Sequence, residues 1–282
     1  MAIRKKVRIA LVVIAILLIV ALIGVGIWLG IVRTQSSKYN LITLKGKSVP
    51  TPCQPNEDGF VELTDLNLHY VKFGDAEQSL ILLHGNGGSV KSLWELASYI
   101  ANDFTVYCIE SRCHGQSGNP DEITYDLMAK DVYEFICAKG LTKPYVMGHS
   151  DGGIVAITLA SAYPDVVGAI ISCGANSRPQ TLKSSFLTGV KIKNSVKHDK
   201  LNDLILNYPN FTQEFLARIK VPTYIVCAEF DIVKLSDSVY MHENIKDSKM
   251  AVIKWAGHSS YISQDGKQAY VLAHDFFASL NA

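Results

Sequence analysis

Two patterns of hydrophobic and polar positions divide the chain. The first is a single apolar run, residues 9–32, in which 24 consecutive residues carry no charge. At about 1.5 Å per residue, a helix of this length spans roughly 36 Å, which exceeds the bilayer hydrocarbon core of about 30 Å. The run predicts a transmembrane helix, because a core helix of a water-soluble domain rarely stays apolar over so many positions.

The charges that flank the run predict its orientation. Four basic residues precede it, Arg4, Lys5, Lys6 and Arg8, whereas only Arg33 follows closely. By the positive-inside rule, we expect residues 1–8 in the cytoplasm, the rest of the chain outside the cell membrane, and Trp28 near the outer interface. A cleaved signal peptide is the alternative, but the apolar run is too long and no small-x-small cleavage site follows it. The prediction is a single-pass signal anchor.

The second pattern covers residues 58–282 and follows a polar linker, 33–57, that contains three prolines in its second half. An alternating stretch at 60–74 predicts a hairpin, and beyond it buried-strand runs alternate with helical segments. This alternation predicts an α/β fold with a mostly parallel central sheet and helices on both faces. The alternation of strand and helix patterns is interrupted at about 175–220. This polar, lysine-rich segment predicts a short helical cap.

Composition narrows the class of protein. Hydrophobic residues make up 48% of the chain and charged residues 19%, which excludes a disordered chain. The net charge of +1 gives no reason to expect a nucleic-acid partner. The six cysteines show neither the spacing of a metal site nor that of a small disulfide-rich domain, so their redox state stays open.

Candidate chemistry starts with the segment GHSDGG, residues 148–153, which follows a predicted strand and opens a predicted helix. A G-x-S-x-G motif in this context predicts a tight turn that lifts the hydroxyl of Ser150 above the sheet edge. Gly148 and Gly152 are expected because side chains there would collide across the turn. The alternative is an ordinary glycine-rich turn between strand and helix.

A serine hydroxyl needs a histidine to take its proton, and that histidine needs a carboxylate to orient it. His258 follows the last predicted strand and Asp231 follows the preceding one, so both are expected at the same sheet edge as Ser150. Asp237, Asp203 and Glu229 are alternative acids. His149 is expected to pack within the turn. Four other histidines, on loops or helices, are expected at the surface: His114, His198, His242 and His274.

The segment HGNGG, residues 84–88, follows another buried strand and predicts a loop that approaches Ser150 through Gly85. The backbone N–H groups of Asn86 and Asp151 are the predicted donors of an oxyanion hole. His84 is expected to be a hydrogen-bonded structural residue. The alternative is a plain glycine turn.

Over about residues 58–282 the sequence resembles the α/β-hydrolase family. Four motifs in order carry the resemblance: HGNGG, IESRCHGQSG (109–118), GHSDGG and the Asp231/His258 pair. It is most similar to bacterial serine hydrolases with a short cap, and it departs from the family pattern at Glu110 and Cys113, where an aspartate and a glycine are usual. The resemblance also implies that Ser150 excludes the nucleophilic aspartate of the family's dehalogenases and epoxide hydrolases.

The sequence therefore predicts a membrane-anchored serine hydrolase that acts through an acyl-enzyme, needs no cofactor or metal, and cleaves a carboxylic ester of a small or lipid-like substrate. An amidase or aminopeptidase, or a C–C bond hydrolase with the same three residues, is the first alternative. A non-catalytic binding protein on the same fold is the remote one.

Overall fold

The computed structural model describes residues 2–36, 41–42 and 48–280. Nine α-helices occur in these residues: α1 Ala2–Ser36, α2 Trp94–Ile100, α3 Tyr125–Ala138, α4 Asp151–Ala162, α5 Ser184–Val196, α6 Lys200–Asn207, α7 Gln213–Leu216, α8 Leu235–Asn244 and α9 Gly266–Ala278. The same residues form nine strands: β1 Leu41–Ile42, β2 Pro55–Glu62, β3 Asn67–Phe73, β4 Ser79–Leu83, β5 Thr105–Ile109, β6 Tyr145–His149, β7 Ala169–Cys173, β8 Thr223–Phe230 and β9 Ser248–Gly257.

One sheet carries the domain, with the strand order β1-β9-β8-β7-β6-β4-β5-β3-β2. The predicted hairpin is the antiparallel pair β2–β3, and β3 also runs antiparallel to β5. The pairs from β5 through β4, β6, β7 and β8 to β9 and β1 are all parallel. The predicted α/β fold with a mostly parallel sheet is therefore confirmed.

Buried side chains on the two faces of the sheet explain the continuous apolar strands. In β4, Leu80 and Leu82 pack into a core beneath α2 and α9, whereas Ile81 and Leu83 pack into a second core beneath α3 and α4. Because successive strand residues point to opposite faces, a strand that is covered on both sides must be apolar at every position.

The N-terminal helix extends further than the sequence analysis predicted. The span was placed at 9–32, but α1 covers Ala2–Ser36, and its residues Ala10–Gly30 have a mean hydropathy of 3.3 with none of that stretch buried against the domain. The linker predicted at 33–57 is also partly structured, since β1 pairs with β9 and β2 begins at Pro55. Linker residues 37–40 and 43–47 lie outside the described residues.

Between β7 and β8 the chain leaves the sheet and returns, and this excursion contains α5, α6 and α7. The segment is attached to the domain through Ser177, whose N–H and hydroxyl both donate to the carboxylate of Asp237, at 2.7 and 2.5 Å. It is the segment for which the sequence analysis predicted a cap, and it covers the carboxyl ends of the parallel strands.

Candidate active site

Ser150 occupies the sharp turn between β6 and α4. Its backbone has φ +55° and ψ −116°, a conformation that non-glycine residues rarely adopt. Two backbone bonds hold it there: the Ser150 N–H donates to Cys173 O at 2.7 Å, and Ser150 O accepts from Ile154 N–H at 3.0 Å. The turn has the strained geometry that the G-x-S-x-G motif predicts.

The glycines of the motif leave room for this turn. A Cβ atom on Gly148 would lie 2.0 Å from Gly152 O, and one on Gly152 would lie 2.2 Å from Leu83 O. Gly85 approaches the serine from the neighbouring loop, where an added Cβ would lie 3.0 Å from the Ser150 Cβ. A larger residue at Gly148 or Gly152 would displace backbone, so the spacing of the motif follows from steric limits, and one at Gly85 would press against the Ser150 side chain.

His258 and Asp231 lie beside Ser150 at the same sheet edge. The Nε2 of His258 is 3.0 Å from the Ser150 Oγ, and its Nδ1 is 2.6 Å from Asp231 Oδ1. Asp231 is buried and also accepts the N–H groups of Ala228 and Val233, at 3.0 and 3.2 Å. Burial alone would raise the pKa of this carboxyl, but the hydrogen bond and charge of His258 outweigh it and lower the pKa.

The alternative acids lie elsewhere and have other partners. Asp237 holds Ser177, as described, and also accepts the Thr181 hydroxyl at 2.8 Å. Glu229 accepts the N–H of Trp255 at 2.8 Å, and Asp203 contacts Asn194 at 2.7 Å. Of the four carboxylates that the sequence left open, Asp231 is therefore the one at His258.

The loop after β4 and the first turn of α4 present two backbone donors beside Ser150. Within the described residues, neither the Asn86 N–H nor the Asp151 N–H donates a hydrogen bond. The Asn86 side chain ties this loop to its surroundings, because its Nδ2 donates to Asp151 Oδ2 at 3.0 Å and to Leu201 O in the cap at 3.2 Å. Burial raises the pKa of Asp151, and the hydrogen bonds from the side chains of Asn86 and Tyr125 partly offset this rise.

The prediction that His114 lies at the surface is wrong, because the structure buries this side chain. Its side chain is 5% exposed, donates through Nδ1 to Arg112 O at 2.9 Å, and accepts the Gly87 N–H on Nε2 at 3.0 Å. It therefore positions the loop that carries Asn86, a role that the sequence signalled only through its place in the motif IESRCHGQSG.

His84 and Glu110 complete the support beneath this loop. His84 is buried, donates through Nδ1 to Gly85 O at 2.8 Å and accepts the Ser111 N–H at 3.1 Å, and burial lowers its pKa to about 4. Glu110 accepts the N–H groups of Val90 and Gln116, at 3.2 and 2.5 Å. His84 thus has two structural hydrogen bonds, as predicted for it.

Cys113 stands where the resemblance implies a glycine, and its backbone conformation shows why glycine is usual at this position. Its φ is +64°, in the left-handed region that glycine enters without steric cost. All six cysteines of the chain are unpaired.

A cavity of about 560 Å³ opens at Ser150 and His258 and extends beneath the cap. Apolar side chains from both the cap and the strand ends line it: Leu182, Phe186, Val190, Ile205 and Ile232. Two buried asparagines, Asn176 and Asn202, and the exposed Lys193 add polar groups to the wall. No set of three or more His, Cys, Asp or Glu side chains suited to a metal ion occurs in residues 2–36, 41–42 and 48–280.

The N-terminal helix contacts the domain beside this site. The Trp28 ring stacks on Phe230 with centroids 5.9 Å apart, and Phe230 lies 6.1 Å from the ring of Trp255. Phe230 directly precedes Asp231, so the end of the apolar span lies near the sheet edge that carries the site.

Comparison with known proteins gives matches along most of the chain. A family model described as the alpha/beta hydrolase fold matches residues 78–201. Human serine hydrolase BPHL is 24% identical over 247 residues, covering 77% of this chain and 84% of that protein. Proline iminopeptidase from Saccharolobus solfataricus is 25% identical over 299 residues, covering 83% of this chain and 95% of that protein.

Among solved structures, a membrane phospholipase A described as a bacterial virulence factor superposes with a TM-score of 0.67 at 17% identity. The superposition covers 94% of this chain and 97% of the phospholipase chain. The sheet order, the position of the site at the strand ends and the family model over residues 78–201 agree, and we conclude that the chain has the α/β-hydrolase fold.

Proposed function

We propose that this protein is a serine hydrolase that cleaves carboxylic esters through an acyl-enzyme, with Ser150 as nucleophile, His258 as general base and Asp231 as its orienting acid. The observation that carries the proposal is the pair of contacts at His258, 3.0 Å to Ser150 Oγ and 2.6 Å to Asp231 Oδ1. The first distance is within hydrogen-bond reach of a nucleophile and its base, and the second is within reach of the base and the carboxylate that orients it.

The reaction then proceeds in two halves. His258 Nε2 takes the proton of Ser150 as Oγ attacks the carbonyl carbon, and Asp231 stabilises the imidazolium. The N–H groups of Asn86 and Asp151 hold the oxyanion. His258 returns the proton to the leaving alkoxide, and the acyl group remains on Ser150. In the second half, His258 removes a proton from water as its oxygen attacks the acyl carbon. His258 then returns this proton to Ser150 Oγ as the acyl–oxygen bond breaks, which releases the acid and the free hydroxyl of Ser150.

The cavity supports an ester with an apolar acyl group. Its volume of about 560 Å³ suits a substrate larger than acetate, since ligand pockets of roughly 300–1,000 Å³ hold drug-sized molecules. The cap supplies Phe186 and Val190 to the wall, so it contributes to acyl selectivity. An alkoxide leaving group also demands less of the general acid than an amine does.

The N-terminal helix supports a substrate taken from a lipid phase. We propose that Ala10–Gly30 spans the cell membrane, with the N-terminus in the cytoplasm and the catalytic domain outside. Tryptophan favours the membrane–water interface, so the Trp28–Phe230 contact would hold the site close to that interface. The similarity to a membrane phospholipase A over 94% of this chain favours the same interpretation.

The lining of the cavity argues against the aminopeptidase alternative. Recognition of an α-amino or imino group requires an accessible carboxylate, and among the lining residues described in the structure Asp151 is the one acid. Its carboxylate is buried and already bonded to Asn86 and Tyr125. The similarity to proline iminopeptidase therefore extends to the fold and not to an amine-binding group.

The test uses the full chain in detergent micelles, with Ser150→Ala as the control, on p-nitrophenyl esters of increasing chain length. We expect turnover with an optimum at a medium or long acyl chain, abolished in the variant. A serine-directed fluorophosphonate should label Ser150 in the parent. Labelling without ester turnover would assign the protein to the amidase or C–C hydrolase alternatives. Absence of both would contradict the assignment of Ser150 as nucleophile.

A further inference from the structure

Two buried asparagines in the catalytic cavity lack protein partners. Asn176 and Asn202 are 7% and 4% exposed, and both line the cavity. The Nδ2 atoms of both are buried and have no hydrogen-bond partner among the described residues. A buried amide without a partner costs on the order of 1–3 kcal/mol, so two of them in one cavity wall suggest a ligand that completes them.

Both side chains stand on backbone that is held next to the reacting groups. Asn176 lies two residues after Gly174, where an added Cβ would lie 2.9 Å from His258 Cε1, and directly before Ser177, which Asp237 holds. Asn202 follows Leu201, whose carbonyl accepts from the Asn86 side chain at 3.2 Å. One amide therefore belongs to the segment beside the base, and the other to the segment that meets the oxyanion loop.

The other polar groups of the wall define the chemistry of this subsite. Lys193 is the one Lys or Arg among the lining residues of the described chain, and the one acid, Asp151, is engaged by Asn86. Within this mainly apolar wall, the buried polar atoms that lack a partner are therefore the two amide donors of Asn176 and Asn202. Such a wall suits oxygen acceptors better than amines or a purely hydrocarbon chain.

We propose that Asn176 and Asn202 bind a second oxygen-bearing group of the substrate, a hydroxyl, carbonyl or carboxylate within a few atoms of the scissile ester. This inference rests on the proposed ester hydrolysis and specifies its substrate: an ester with an additional acceptor near the reacting carbonyl. Plain hydrocarbon acyl esters leave both amides without partners and are poorer substrates, because a site built for a polar group discriminates against an analogue that lacks it.

The experiment compares three esters of similar length, phenyl butyrate, phenyl 3-hydroxybutyrate and phenyl hydrogen succinate, on the full chain and on Asn176→Leu and Asn202→Leu. We expect the ratio of kcat/KM for an oxygenated ester to that for the plain ester to fall about tenfold in the variants. Comparison between proteins cancels the intrinsic reactivity of each ester. The two oxygenated esters distinguish a neutral group from an anion.

The matched control is Asn207→Leu, on the exposed side of the same helix as Asn202, where the amide donates to Asp203 O at 2.8 Å. For this control, the ratio of kcat/KM for an oxygenated ester to that for the plain ester should equal the ratio of the parent. The unfolding midpoint of the two cavity variants should match or exceed that of the parent, because leucine removes an amide without partners. An unchanged ratio, or equal loss on all three esters with a lower midpoint, would overturn the inference.

A binding measurement separates this inference from the proposed function. In the Ser150→Ala background, calorimetry should show tighter binding of phenyl 3-hydroxybutyrate or phenyl hydrogen succinate than of phenyl butyrate, and Asn176→Leu with Asn202→Leu should abolish the difference. If the parent hydrolyses no ester, the proposed function fails, while the calorimetry still decides whether the amides bind an oxygenated group. Equal binding of all three compounds contradicts the inference, whatever the activity.

Discussion

His149 holds the backbone of His258: its Nε2–H donates to the His258 carbonyl at 2.9 Å, and the two rings lie 4.9 Å apart. The donor is the last residue of β6, directly before Ser150, so the strand that presents the proposed nucleophile also holds the backbone of the proposed base. Burial lowers the pKa of His149 to about 4, which keeps this ring neutral near pH 7. His149 is thus a positioning residue.

Replacement of His149 tests this role. His149→Phe keeps an aromatic ring against His258 but removes the N–H donor, and we expect kcat/KM on an ester to fall about tenfold or more, because a small misplacement of a catalytic group is costly. His149→Gln, whose amide can donate, should recover part of the loss. Steady-state kinetics of the three proteins is the measurement, and equal activity in all three would contradict the assigned role.

The choice of Asp231 over its neighbour Glu229 predicts two different outcomes for the same chemical change. Asp231→Asn should reduce kcat on the order of 10³–10⁴-fold, because an amide no longer holds His258 in the productive tautomer. Glu229→Gln should keep activity within about threefold, since an amide oxygen can still accept the Trp255 N–H. If Glu229→Gln proved to be the severe variant, Asp231 would not be the acid.

Two buried histidines predict a loss of stability in mild acid. Burial lowers the pKa values of His84 and His149 from 6.5 to about 4. Between these values the unfolded chain binds protons that the folded chain does not, so the free energy of unfolding decreases as the pH falls from 6.5 toward 4. The contribution of each is at most about 3 kcal/mol, and it is fully present above pH 6.5.

Thermal unfolding of the full chain in detergent at pH 7, 5.5 and 4.5 measures this loss. The midpoint should fall with pH, and His84→Gln should have a shallower fall than the parent, because one of the two titrating groups is gone. A parent midpoint that stays constant across this range would show that neither ring is held neutral.

The proposed membrane orientation predicts which side of the membrane exposes Cys137. This thiol is exposed and forms no disulfide, and it lies on α3 of the α/β domain. A membrane-impermeant maleimide should label the protein in spheroplasts, and Cys137→Ser should remove most of that label. Labelling that required lysis of the cells would place the domain in the cytoplasm and contradict the proposed orientation.

Much of the architecture follows from local sequence. Continuous apolar runs of five to seven residues predict strands that are covered on both faces, and β4 shows why, since Leu80 and Ile81 enter opposite cores. Part of the turn at Ser150 is equally local, because a side chain at Gly148 would collide with the backbone of Gly152. The position of Ser150, Asp231 and His258 directly after predicted strands was enough to expect them at one sheet edge, with Asp231 as one of four candidate acids.

Tertiary structure decided what depends on contacts between distant segments. His114 looks like a loop histidine in the sequence, but packing against the loop that follows β4 buries it and gives it the Gly87 N–H. The choice among four carboxylates needed the register of β8 against β9, and the amides of Asn176 and Asn202 share a cavity only because the cap folds back over the sheet. Periodicity describes which face of an element is buried, whereas the partner across that face is determined by how the whole chain packs.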